Sequence, residues 1–155
     1  MKDLKILLVD DEVIFTENMS KLLKSRGYPV KAVNEGSRAI RELEEDNFDV
    51  VVLDLKMPGM DGISMLKEIN NLGILTEVLI LTGHGSIDVA MEAIKLGAYD
   101  YLIKPCEIDD LIEKIEEAGK KKDRNENQDV DEEIQGLIES SSSVYDFFPK
   151  VNNNK

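Results

Sequence analysis

The chain has 155 residues, 42% of them hydrophobic, enough for one domain of ordinary size with some length left over. Lys and Arg number 19 against 32 Asp and Glu, a net charge of -13 that disfavours direct binding to nucleic acid, whose phosphates require a basic footprint. A single cysteine, Cys106, excludes an internal disulfide; no apolar stretch approaches a membrane-spanning length, and the short N-terminal apolar run ends in acids, unlike a signal peptide, so the chain reads as cytoplasmic with no membrane partner.

Runs rich in Val, Ile and Leu recur at residues 6–9, 30–33, 50–55, 78–81 and 101–103, each too short for a helix and each predicting a strand. Between them the apolar residues take helical spacing: Ile14, Met19, Leu22 and Leu23 lead to Gly27, and Ala90, Ala93 and Ile94 lead to Gly97, with each glycine as a helix stop. Five such strand–helix units predict an α/β fold, a doubly wound parallel sheet with helices on both faces, because parallel strands need crossover helices and right-handed crossovers lay them against the sheet. A last helix near residues 108–118 closes the domain, which is placed at residues 1–120. From Gly119 the run Lys-Lys-Lys-Asp-Arg-Asn-Glu-Asn-Gln predicts a solvated linker, and residues 121–155 form an extension. Within that extension Val130, Ile134, Leu137 and Ile138 have the spacing of a short amphipathic helix, and Tyr145, Phe147 and Phe148 form an aromatic tail. Such a tail docks back on its own domain or stays unstructured, with partner binding as the alternative.

In an open parallel sheet, loops at the carboxyl ends of the strands converge where the strand order reverses, and sites form there. The residues at those ends are Asp10 and Asp11 after the first strand, Asp54 after the third, Thr82 on the fourth and Lys104 after the fifth. Carboxylates gathered on one rim need a cation, and an all-oxygen site with carboxylates and water suits magnesium. Magnesium with open positions can take a phosphoryl oxygen, and Lys104 offers a second positive contact, so the rim points to phosphoryl transfer. Asp54 is the natural nucleophile because it ends the most apolar strand, and its product would be an acyl phosphate. Each residue also has a plainer role: Asp11 and Asp61 as helix caps or turn residues, Thr82 as a strand end, Lys104 as a solvated loop lysine.

The stretches "LLVDDE", "VVLDLKMPGMDG", "LILTGHGS" and "YLIKP" carry a resemblance over residues 3–120 to the receiver domains of bacterial two-component response regulators. "LTGHGSIDVAMEAIKLGAYDYLIKP" resembles in particular the receivers of sigma-54-dependent activators. The resemblance implies a flavodoxin-like sheet in the order 2-1-3-4-5. It implies that Asp54 takes a phosphoryl group from a phosphohistidine on a sensor kinase or phosphotransfer protein. Asp10 or Asp11, Asp54 and the backbone carbonyl of Lys56 would then hold magnesium, while Thr82 and Lys104 bind the phosphoryl oxygens. The Lys104-Pro105 bond would be cis, and Tyr101 would be the switch aromatic that follows Thr82. Phosphorylation would then bias the surface of helix 4, strand 5 and helix 5 toward a partner protein or a homodimer. Lys56 and His84 fall at the positions that tune phosphate lifetime. On this reading the chain is no enzyme in the ordinary sense but a phosphoacceptor that assists its own phosphorylation and dephosphorylation. Only about 35 residues follow the matched region, too few for the ATPase and DNA-binding domains of sigma-54 activators, so the chain is expected to be a stand-alone receiver or a receiver cut from a longer protein.

Other readings fit the residues less well. His84 lacks the helical, acid-flanked setting of a phosphodonor, Cys106 has no second cysteine to resolve a redox step, and Met57, Met60, Met65 and Met91 read as packing. A haloacid-dehalogenase-like phosphohydrolase would place its nucleophile in an Asp-x-Asp pattern on strand 1, whereas these acids are adjacent. A flavodoxin-like electron carrier would need a neutral phosphate-cradling loop where Asp10, Asp11 and Glu12 stand. A receiver-shaped module that is not phosphorylated would typically lack acidic-site residues, and all are present.

Overall fold

The computed structural model describes residues 3–57, 59–83 and 87–122; His84 and the helix and tail expected between 130 and 148 lie outside them. The strands are β1 (Ile6–Val9), β2 (Val30–Val33), β3 (Val50–Leu53), β4 (Glu77–Thr82) and β5 (Asp100–Ile103). Between them run α1 (Val13–Ser25), α2 (Gly36–Glu45), α3 (Gly62–Leu72) and α4 (Ile87–Lys95), and α5 follows over residues 108–122. The strands form one parallel sheet in the order β2-β1-β3-β4-β5. This is the doubly wound α/β architecture, with the strand order that the resemblance implies.

Alternation along the strands explains why they read as unbroken apolar runs. Leu7, Val9, Val51, Leu53, Val78 and Ile80 face one layer, where they meet Ala39 and Ile40 of α2, Met65 and Leu66 of α3, and Ala90 and Ala93 of α4. Ile6, Leu8, Val50, Val52, Leu79 and Leu81 face the other, against Met19 and Leu23 of α1 and Leu111 and Ile115 of α5. A sheet covered on both faces has no polar side to show, so every position along a central strand can be apolar. Gly27 and Gly97, expected to stop α1 and α4, take left-handed φ angles of 97° and 109°, which glycine adopts without steric cost. Among the described residues no helix is long and apolar enough to cross a membrane.

Several boundaries differ from the sequence-based expectation: β4 runs from Glu77 to Thr82 rather than over 78–81, β5 opens at Asp100 rather than 101, and two further differences have a visible local cause. The strand expected at 50–55 ends at Leu53, because beyond Asp54 the chain leaves the ladder: the Lys56 amide turns back to Asp54 Oδ1 at 3.1 Å. Residues 119–122, expected to open a solvated linker, instead continue α5, and the compact unit extends to Lys122; the rest of the expected linker lies outside the described residues. Two of the three lysines read as solvated have partners at the amino-terminal edge of the sheet. Lys121 pairs with Glu77 at 3.7 Å, and the buried Lys122 donates to Asp49 at 3.2 Å. Gly119 lies so close to the Leu4 side chain that an added Cβ would stand 2.6 Å from Leu4 Cδ2.

The turn after β3 is fixed against the start of α3. The Gly62 amide donates to the Leu55 carbonyl at 3.0 Å, and Asp61 caps the helix by accepting from the Ser64 amide at 2.8 Å. A Cβ on Gly62 would meet Leu55 Cα at 2.6 Å and the Asp54 carbonyl at 3.0 Å, so this contact sets where Asp54 sits. Gly62→Ala should therefore destabilise the fold by about 1–3 kcal/mol, the range for overpacking a closed site. Urea unfolding followed by circular dichroism tests this; an unchanged midpoint would show that the turn is free to shift.

Candidate functional site

β1 and β3 are register neighbours, Val9 opposite Leu53, so the residues that follow them, Asp10 and Asp54, emerge side by side. The backbone holds both: the Asp10 amide donates to the Val33 carbonyl at 3.2 Å and the Asp54 amide to the Val9 carbonyl at 3.0 Å. Both are buried, at 1% and 7% exposure, which is unusual for aspartate. Thr82, the last residue of β4, is fully buried and donates its hydroxyl to Asp54 Oδ1 at 3.0 Å. Lys104 follows β5; its amide donates to the Thr82 carbonyl at 2.7 Å, and its bond to Pro105 is cis.

The Lys104 ammonium reaches across the rim into the acids. It donates to Asp10 Oδ2 at 2.6 Å, to Glu12 Oε1 at 2.7 Å and to Asp54 Oδ2 at 3.4 Å, and it sits 4.4 Å from the centroid of the Phe15 ring. Asp10 Oδ1 accepts the Glu12 amide at 3.0 Å, which closes the first turn of the β1–α1 loop. Asn34 braces the loop from β2, donating to the Asp10 carbonyl at 2.7 Å and to Thr16 Oγ1 at 3.0 Å.

The structure thus brings Asp10, Asp54, Thr82 and Lys104 together on one rim, as the sequence predicts. Of the remaining candidates, Lys56 contributes its amide to Asp54 while its side chain is exposed. Asp11 is exposed and stands outside the cluster; the third carboxylate of the group is Glu12, with one ligand oxygen each from Asp10, Glu12 and Asp54 lying within 4.8 Å of one another. Tyr101 is half-buried on β5, in register with Ile80, and packs against the core on the α2, α3 and α4 side. Glu12, Phe15 and Asn34 are the residues that sequence reasoning did not place in the site. Glu12 and Phe15 are three apart, so they share a face of the first turn of α1, a signal available only once the helix start is known.

The electrostatics follow from burial. Desolvation pushes the Asp10 carboxyl from its ordinary 3.8 up to about 6; the hydrogen bonds from Lys104 and from the Glu12 amide pull it down, and the charge on Asp54 pushes it further up. Burial alone would lower Lys104, but its hydrogen bonds to Asp10 and Glu12 and the charge on Asp54 outweigh it and hold the ammonium above the ordinary lysine range. One ammonium therefore serves three carboxylates. The oxygens of Asp10, Glu12 and Asp54 are hard donors spaced to hold a small divalent cation, so the donor set fits a metal of the magnesium type.

A carboxyl that keeps its proton to about pH 6 when folded, and to 3.8 otherwise, makes the native state bind more protons between those values. Asp10 thus lowers stability as pH rises through that window and keeps it lower above. Asp10→Asn, measured without metal by urea unfolding, should be about 1–3 kcal/mol more stable than wild type at about pH 7.5, with the gain gone near roughly pH 4. A variant less stable at the higher pH would mean that the Lys104 pairing outweighs the burial cost.

Residues 6–116 match the receiver domain of response regulators. Over 116 residues the chain is 42% identical to the transcriptional regulatory protein ZraR of Escherichia coli K12, a match covering 75% of this chain and 26% of that protein. It is 39% identical over 113 residues to the transcriptional regulatory protein FixJ of Bradyrhizobium diazoefficiens, covering 73% of this chain and 55% of that one. Among solved structures, a response regulator receiver domain protein from Clostridium thermocellum superposes with a TM-score of 0.73 at 38% identity, covering 77% of this chain and 96% of the other. The chain spans only about a quarter of the length of the ZraR proteins it matches, and the rim residues of this chain all lie within the span matched by the family, residues 6–116. This chain belongs to the receiver-domain family of two-component response regulators, proteins that signal by phosphoryl transfer with histidine kinases or phosphotransfer partners.

Proposed function

We propose that Asp54 is the phosphoacceptor, and that it takes its phosphoryl group from a phosphohistidine on a cytoplasmic sensor kinase or phosphotransfer protein. The observation that carries this reading is the asymmetry of the Asp54 carboxylate. Oδ1 is pinned by the Lys56 amide at 3.1 Å and the Thr82 hydroxyl at 3.0 Å, whereas Oδ2 has only the long 3.4 Å contact to Lys104. A carboxylate with one oxygen fixed and the other lightly held is oriented to attack with the free oxygen. In that step a lone pair of Oδ2 forms the new P–O bond, the P–N bond to the histidine breaks, and its electron pair and a proton leave with the imidazole.

Magnesium, bound by Asp10 or Asp11, Asp54 and the Lys56 backbone carbonyl, would neutralise the charge that gathers on the phosphoryl oxygens. The Lys104 ammonium supplies a second positive contact to those oxygens, already charged and already within reach of Asp54. The Thr82 hydroxyl, now donated to Asp54, is the donor best placed to turn to a phosphoryl oxygen. That turn removes its present bond and opens space beside β4, into which Tyr101 on the neighbouring strand can move. The surface of α4, β5 and α5 would then change its affinity for a partner protein or for a second copy of the chain. In this scheme the chain is a phosphoacceptor that assists its own phosphorylation and hydrolysis rather than an enzyme acting on a separate substrate, and Lys56 and His84 tune the lifetime.

Intact-mass analysis after incubation with magnesium and acetyl phosphate tests the acceptor. A single phosphoryl adduct is expected in wild type, dependent on magnesium and absent in Asp54→Asn. No adduct in wild type under a fast quench, or an equal adduct in the variant, would refute Asp54 as the acceptor.

A further inference from the structure

The Glu12 carboxylate is spent on Lys104 and not on its own helix. Glu12 is the N-cap residue of α1, a place where Ser, Thr, Asp or Asn would serve the free amides, and its side chain makes no capping bond. Its Oε1 instead accepts from Lys104 Nζ at 2.7 Å, well inside the 3.4 Å that separates the same nitrogen from Asp54. One turn along the same face, the Phe15 ring lies 4.4 Å from that nitrogen and seats it on the α1 side of the rim.

An ammonium has three hydrogens to donate, and the three carboxylates Asp10, Glu12 and Asp54 take them. A phosphoryl oxygen that binds Lys104 must therefore displace one of them. Asp10 has a side chain 2% exposed and cannot be rehydrated in place, while Asp54 is the acceptor itself. The Glu12 side chain is 63% exposed and can turn into water at small cost. We propose that Glu12 is a positioning residue, the exchangeable partner that draws Lys104 toward α1 and away from Asp54 until a phosphoryl group takes its place. This rests on Asp54 being the phosphoacceptor. Replacing the Glu12 charge should leave Lys104 free to meet the phosphoryl oxygens without a competitor.

The test uses beryllofluoride as the phosphoryl mimic, titrated into the full chain at saturating magnesium and followed by amide NMR, with Glu12→Gln beside wild type. The variant should bind beryllofluoride about two- to fivefold more tightly, the scale of losing one exposed competing ion pair. Magnesium affinity, titrated separately without beryllofluoride, should not rise. A split of this kind belongs to release of Lys104; a purely structural role for Glu12 would weaken both constants together. Beryllofluoride binding equal to or weaker than wild type would overturn the role of Glu12. If wild type itself bound no beryllofluoride, the acceptor reading would fall first.

Discussion

Two buried carboxylates sharing one ammonium form the constraint on which the rest of the structure depends. Parallel pairing of β1 with β3 sets adjacent strands about 4.8 Å apart, so the residues that follow them cannot avoid each other. Asp10 and Asp54 are those residues, and both are nearly fully enclosed. Their repulsion and desolvation are costs that packing alone does not offset, and burial pushes the Asp10 carboxyl above its ordinary value. The fold answers with Lys104, brought in from the far side of β4, and the remaining deficit of positive charge is what makes the rim receptive to a divalent cation and to the phosphoryl group it accompanies.

The rigid frame is what makes that deficit useful. Strands β1, β3 and β4 are buried along their whole length and covered by α1 and α5 on one face and α2, α3 and α4 on the other. Close packing of this kind resists continuous deformation, so a charge change at Asp54 is expressed through the few groups that can change partners. Thr82 and Lys104 are such groups, and they are linked through the backbone by the bond from the Lys104 amide to the Thr82 carbonyl at 2.7 Å. In the proposed function, β4 and β5 therefore respond together, while the sheet beneath them stays as it is.

Most of the fold was legible in the sequence because burial on both faces leaves a local record. The run at residues 6–9 is β1 to the residue, and the run from Val50 opens β3 where the structure does, both strands buried along their whole length. The errors came where polar residues are paired within the fold. Glu77 opens β4 and is buried against Lys121, and Lys121 and Lys122 extend α5 into what reads as linker, because the acids that hold them, Glu77 and Asp49, lie far away in sequence. The site shows the same division. Asp10, Asp54, Thr82 and Lys104 were legible because each directly ends a strand and the topology brings strand ends together. Glu12, Phe15 and Asn34 were not, since their places depend on where α1 begins and on how β2 abuts the first loop. Nothing local in the sequence separates Glu12 from Asp11, yet one joins the cluster and the other is exposed.

The most direct measurement of this account is a carbon-13 NMR titration of the Asp10 side-chain carboxyl, without metal and then with saturating magnesium. In the metal-free protein the midpoint should be about 6, shifted clearly downward when magnesium is present, because a cation at the rim relieves the uncompensated burial. A metal-free midpoint in the ordinary aspartate range that does not respond to magnesium would contradict it, for the rim would then carry no charge deficit to be met.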